Sequence, residues 1–273
     1  MLGVVVLVML LAGCSGDGET DTARAPKPTA ESSTAPAQGR CMPEVAGAEV
    51  VDVPPAGGGV RLSAVVAGTG DRGLLLIHGS GGQGRCVWQR EIPSFVDAGY
   101  QVMAIDHACV GDSDCVDSPA DDDAVRDIAA ATAALRERGA TSVGVIGASY
   151  GTAQVIVAAA SPEVALDAAV ALSPGRLDTD VRPESTPEPR AADAAPPSVD
   201  VPLMYVVSRT DDLSSVPATR ALYRGTPAGG RELVIVPTGH AQAMLYPDDA
   251  LFADPPSGRT FDRVLAFLDE NVR

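Results

Sequence analysis

The stretch Val143–Ala160, VGVIGASYGTAQVIVAAA, changes character at its middle. Up to Ile146 it is a run of β-branched and small apolar residues; from Gly151 an alanine-rich pattern begins whose apolar spacing suits a helix. Two glycines flanking Ser149 separate the halves, so a strand is expected to turn into a helix across GASYG with a hydroxyl at the turn. A serine forced into so tight a turn leaves no room for side chains two positions to either side, and Gly147 and Gly151 supply that clearance. An ordinary glycine turn has the same letters, and about 0.2 such matches are expected by chance in a chain of this length, so the motif gains weight only from its surroundings.

Outward from GASYG, short apolar runs alternate with helical patterns, the signature of a mostly parallel sheet covered on both faces. Strands are expected at 49–53, 60–67, 73–78, 101–106, 141–146, 168–173, 201–208 and 232–236, with the first two as a hairpin. Helices are expected at 87–98, 121–138, 150–160, 216–223 and 260–271; in the last, Phe261, Val264, Leu265 and Leu268 share one face. DDD at 121–123 suits a helix N-terminus better than a metal site. Gly175–Asp200 is Pro-rich and acidic without a helical period, and reads as a loop.

A serine hydroxyl is scarcely ionised near neutral pH and needs a base, for which histidine is the usual choice. The chain has three histidines, and His240, in VPTGHAQAML after the last strand, is the candidate base. His78, at the end of a strand, reads as structural, and His107 follows the strand ending at Asp106. The base needs an acid to hold its tautomer. VPLMYVVSRTDDLSSVP offers Asp211, at the expected distance beyond a strand end, with Asp212 as the alternative and Asp178 as a third, remoter candidate. Acyl transfer also needs N–H donors for an oxyanion. Tyr150, directly after Ser149, is the candidate for one, and Ser80 in HGSGGQG, or else Gly81, the candidate for the other. HGSGGQG lacks the lysine and spacing of a phosphate-binding loop.

From about Val60 to the C-terminus the chain resembles the α/β-hydrolase-fold serine hydrolases, on HGSGG at 78–82, GASYG at 147–151, SRTDD at 208–212 and GHAQAML at 239–245, in that order. AIDHACVGDSD at 104–114 is similar to a further family segment, but has Ala108 and Cys109 where Arg and Gly are frequent. The resemblance implies an eight-stranded α/β-hydrolase fold, here with a minimal cap at 175–200. It also implies a cofactor-free, metal-free triad of Ser149, His240 and Asp211, and hydrolysis of a small-molecule acyl substrate, carboxylic esters first and peptides or amides second. A non-catalytic envelope-binding lipoprotein on the same fold is the contrasting class.

Composition narrows the setting. The 273 residues suffice for one α/β domain, and 36 acidic against 20 basic residues, a formal charge of -16, oppose binding to nucleic acid. The N-terminus MLGVVVLVMLLAGCSG has an apolar segment too short to span a bilayer, and LAGC at 11–14 resembles the lipobox of bacterial lipoproteins. It implies a signal peptide at 1–13 and acylation of Cys14, although Met1, Leu2 and Gly3 carry no positive charge. Residues 14–40 read as a flexible tether rich in Ser, Thr, Ala and Pro, and 41–273 as the hydrolase domain. Export places Cys41, Cys86, Cys109 and Cys115 in an oxidising compartment, where four cysteines allow three pairings. Cys41 with Cys86 and Cys109 with Cys115 is the most local; a bridge between the Cys86 and Cys109 loops is the alternative. Trp88 reads as a helix-to-core anchor, and Met244 and Tyr246 as either core or acyl-pocket lining.

Overall fold

Eight strands form one sheet in the order β1-β2-β4-β3-β5-β6-β7-β8: β1 Glu49–Val53, β2 Leu62–Ala67, β3 Arg72–Ile77, β4 Gln101–Ile105, β5 Ser142–Ala148, β6 Ala168–Leu172, β7 Leu203–Ser208 and β8 Arg231–Val236. The computed structural model describes residues 41–55, 57–80, 82–117, 124–174, 194–246 and 257–273. Strands β1, β2 and β4 pair antiparallel, and every pairing from β4 through β3 to β8 is parallel. The expected hairpin and mostly parallel sheet are both present. The signal peptide, Cys14 and the tether lie outside the described residues, as do Gly81, Asp178, the acidic run at 121–123 and residues 175–193 of the expected cap. Among the described residues no helix is long and apolar enough to cross a membrane.

Alternation along the strands divides the core in two. Leu75 and Ile77 of β3, with Val143 and Val145 of β5, face one side and pack with α2 (Ala124–Glu137) and α3 (Gly151–Ala159). Leu74, Leu76, Ile146 and Ala148 face the other, toward Trp88, α1 (Ile92–Asp97) and α5 (Arg259–Asn271). Phe261, Val264 and Leu268 of α5 are buried there as expected, and Gly144 leaves room for Leu268 and Val272 to lie on the strand. A further helix, α4 (Val216–Gly225), is capped by Ser215, whose Oγ accepts the Ala218 N–H at 3.2 Å.

One expected helix is not continuous. Across 87–98 the chain forms a 3-10 turn at Gly84–Trp88 and then, separately, α1. Pro93 explains the break: it lacks an N–H and its ring would clash with the carbonyl four residues earlier, so it is accommodated only in the first turn of a new helix. β5 also runs further than the apolar pattern suggested. Gly147 and Ala148 remain paired with Ala171 and Leu172 of β6, so the strand delivers the chain directly to Ser149.

After β3 the chain goes to β4 on one side, then returns past β3 to build β5 to β8 on the other. This reversal makes the carboxyl ends of β3 and β5 the topological switch point of the sheet, the place where open α/β sheets bind ligands. HGSGG leaves β3 there, and GASYG leaves β5.

Candidate functional site

Ser149 sits at the C-terminal tip of β5 with φ 52, a left-handed conformation that non-glycine residues rarely adopt. Its N–H donates to Leu172 O at 2.9 Å, and its carbonyl accepts from the Thr152 N–H and hydroxyl at 3.0 and 2.6 Å, opening α3. The flanking glycines are required for space. A Cβ on Gly147 would lie 2.6 Å from Gly151 O and 2.7 Å from Val155 Cγ2, and one on Gly151 would lie 2.5 Å from His78 O. Strand, helix and β3 loop therefore close on the turn from three directions, leaving Ser149 partly exposed.

His240 follows β8 and stands at the N-cap of a 3-10 turn, Ala241–Leu245, and Asp211 follows β7. Because β5, β7 and β8 run parallel, their carboxyl ends open onto one edge of the sheet. His240 Nε2 is 2.9 Å from Ser149 Oγ, and His240 Nδ1 is 2.8 Å from Asp211 Oδ2. The Asp211 carboxylate is 1 % exposed and its Oδ1 accepts the N–H groups of Leu213 and Ser214 at 2.9 and 3.1 Å. Asp212, the alternative acid, is exposed at the surface. Of the two adjacent aspartates, the carboxylate facing His240 is that of Asp211, the one at the expected distance beyond the strand end. With Asp211 holding a proton on Nδ1, Nε2 is left as the acceptor that faces the serine hydroxyl.

The residues expected to donate to an oxyanion lie where the loop after β3 meets the Ser149 turn. Gly79, rather than Ser80, packs directly on the turn: a Cβ on Gly79 would lie 3.0 Å from Ala148 O and from Ser149 Cβ, and 3.6 Å from Tyr150 N. Ser80 is exposed one residue further on. His78 Nδ1 is 2.8 Å from Gly79 O. Since a trans peptide sets C=O and the following N–H in opposite directions, holding Gly79 O on His78 turns the Ser80 N–H away from that ring. His78 therefore acts on the loop through this peptide.

A buried polar cluster supports that ring. His78 Nε2 accepts the His107 N–H at 3.3 Å, and Asp127 Oδ2, on the inner face of α2, receives His107 Nδ1 and the Ala108 N–H, both at 3.0 Å. Burial, and next the proximity of His107, push the His78 pKa down to about 4, so His78 is neutral at neutral pH and its Nδ1 can donate to Gly79 O. Asp127 was legible in principle, as a carboxylate on the apolar stripe of Ala124, Ile128, Ala131 and Leu135.

Both disulfides follow the most local pairing, Cys41–Cys86 and Cys109–Cys115. Beside Cys86, Arg85 is buried, with its guanidinium paired to Asp106 and, at 2.8 Å, to Asp112 Oδ2, while its N–H donates to Asp106 Oδ1 at 2.7 Å. In the segment where Ala108 and Cys109 depart from the family pattern, a guanidinium from the preceding loop and a disulfide organise the chain. Sequence reasoning had no signal for Arg85. Trp88, Met244 and Tyr246 are all buried in the core on the α1 and α5 side.

Among the described residues no group of acidic, Cys or His side chains has the arrangement of a metal site. The family model described as Alpha/beta hydrolase family matches residues 74–269. No curated protein matches the chain. Among solved structures, the Pyrococcus furiosus esterase Pf2001 superimposes with a TM-score of 0.67 at 21 % identity, over 83 % of this chain and 93 % of that one. A Paleococcus ferrophilus monoacylglycerol lipase gives 0.60 at 16 % identity, over 77 % and 98 %. A cold-adapted esterase from an Arctic intertidal metagenomic library gives 0.57 at 20 %, over 83 % and 94 %. At these identities the likeness is one of fold.

Proposed function

The chain belongs to the alpha/beta hydrolase family, and on that premise we propose that it is a serine hydrolase of carboxylic esters. The observation that carries this reading is the unbroken chain Ser149 Oγ, His240 Nε2, His240 Nδ1, Asp211 Oδ2, with links of 2.9 and 2.8 Å. Ser149 Oγ attacks the acyl carbonyl carbon as its proton passes to His240 Nε2. Asp211 holds the Nδ1 proton and stabilises the resulting imidazolium. The oxyanion accepts from the Tyr150 N–H and the Ser80 N–H, each such donor contributing about 3 kcal/mol to the transition state. As the tetrahedral intermediate collapses, His240 returns the proton to the departing alcohol. Water, deprotonated by His240, then attacks the acyl-enzyme, and the expelled Ser149 Oγ regains its proton.

Esters rank above amides because relatives of like fold carry the descriptions esterase and monoacylglycerol lipase. In this reading the enzyme stands on the outer face of a bacterial cell membrane, tethered through a lipid on Cys14. Two disulfides in the folded domain support an oxidising location.

A fluorophosphonate probe tests the chemistry. Wild type is expected to be labelled and Ser149→Ala not; a folded wild type that takes no label overturns the proposal. A chain-length series of nitrophenyl esters, run beside an aminopeptidase substrate, reads the substrate class. Cys14→Ala is expected to release the protein from membranes of a bacterial host, and unchanged partitioning would refute the anchor.

A further inference from the structure

Three non-glycine residues with left-handed backbones meet at the triad: Ser149 (φ 52), Ser173 (φ 58) and Ala241 (φ 52). The first is the nucleophile and the third follows the base. Ser173 ends β6, is fully buried, and takes no part in the chemistry described above. Its N–H donates to Val206 O of β7 at 2.8 Å, which anchors it in the sheet. Its Oγ accepts the Ala241 N–H at 2.8 Å and faces Met244 Sδ at 3.8 Å.

The first N–H groups of any helical turn have no partner within it, and the residue at the N-cap ordinarily supplies one from its side chain. Here the N-cap residue is His240, whose side chain makes no capping bond because both ring nitrogens are committed to Ser149 and Asp211. The cap comes instead from Ser173, 68 residues earlier in the chain. A left-handed backbone there would be met with least strain by glycine, yet the position carries a serine whose hydroxyl reaches the peptide directly after the base.

We infer that Ser173 is the positioning residue for His240, capping the turn that carries the base in place of the histidine's own side chain. This rests on the reading of His240 as the base. By holding the Ala241 N–H, Ser173 fixes the backbone on the C-terminal side of His240 and so the direction from which Nε2 meets Ser149 Oγ.

Ser173→Gly separates positioning from folding, because glycine accommodates the left-handed backbone while removing only the hydroxymethyl group. The expected result is a folded protein whose kcat for a nitrophenyl ester falls about tenfold or more, since misplacement by an ångström costs up to about a hundredfold. KM should stay within about twofold, because the Ser173 hydroxymethyl group is fully buried and out of a substrate's reach. The acid limb of kcat/KM, which reports the free enzyme's base, should move. Ser173→Cys, with a weak acceptor at nearly the same place, should fall between the two and serves as the graded variant should glycine not fold. The His240 ring signal, assigned among three histidines with His240→Gln, gives an NMR titration that needs no turnover. Wild-type kcat, pH profile and His240 titration in a folded Ser173 variant would overturn the inference. Absence of fluorophosphonate labelling in wild type would instead overturn the triad itself, so the two failures are distinguishable.

Discussion

Glu91 offers a prediction whose sign and size follow from its surroundings. It is 2 % exposed at the start of α1, where Oε1 accepts the Tyr246 hydroxyl at 2.7 Å and Oε2 is buried with no partner among the described residues. Burial pushes its pKa from 4.5 up to about 7, while the Tyr246 hydroxyl, its own backbone N–H and Arg90 pull the other way. Between those two values the folded protein keeps a proton that the unfolded chain has released. Stability from this group is therefore complete below about pH 4.5, declines as pH rises, and is lost above about 7. At 1.4 kcal/mol per pKa unit the penalty near pH 8 is about 3 kcal/mol. Glu91→Gln is close in shape, keeps an acceptor for Tyr246 and cannot ionise. The variant should gain on wild type by about 3 kcal/mol between pH 4 and pH 8, or about 6–12 °C in Tm for a domain of this size. Thermal unfolding of both proteins across that range is the assay, and the difference between them isolates Glu91 from every other titrating group. A difference that is flat from pH 4 to 8, or one that grows toward acid, would refute the assignment of a buried, largely unpaired carboxyl.

Two further outcomes are expected. Asp211→Asn should lower kcat by about 10³–10⁴-fold with little change in Tm, since it disturbs the His240 tautomer, while Asp212→Asn leaves kcat within about twofold; ester kinetics on the pair decides between the neighbours. Paired Cys→Ser replacement should cost more at Cys41–Cys86, which closes a separation of 45 residues, than at Cys109–Cys115, which closes 6, with chain-entropy values of about 4 and 2 kcal/mol; denaturant melts that rank the bridges in the opposite order contradict this.

The strand-to-helix reading of GASYG and the position of His240 beyond the last strand were both legible before any coordinates. Each depends on information within a few residues: apolar spacing, glycine punctuation, and the order of segments along the chain. Even the interrupted helix at 87–98 had its cause in view, since Pro93 blocks a continuous helix through that stretch. The choice between Asp211 and Asp212 was of another kind. Spacing beyond β7 favours Asp211 without excluding Asp212, and it is the fold that brings His240, 29 residues later, to the buried carboxylate rather than the exposed one.

What the sequence by itself determined is thus the series of strands and helices, the edge of the sheet where the candidate residues collect, and the identity of those candidates. These follow from local periodicity and from the rule that parallel strands deliver their carboxyl ends to one side. Only the tertiary structure decided which side chains hold those residues in place. Ser173 reaches across 68 residues to the turn of His240, Glu91 across 155 to Tyr246, and Arg85 across 21 to Asp106. The physical reason is that a buried polar atom takes whichever partner the fold brings within about 3 Å, and sequence distance has no bearing on that choice once the sheet has closed.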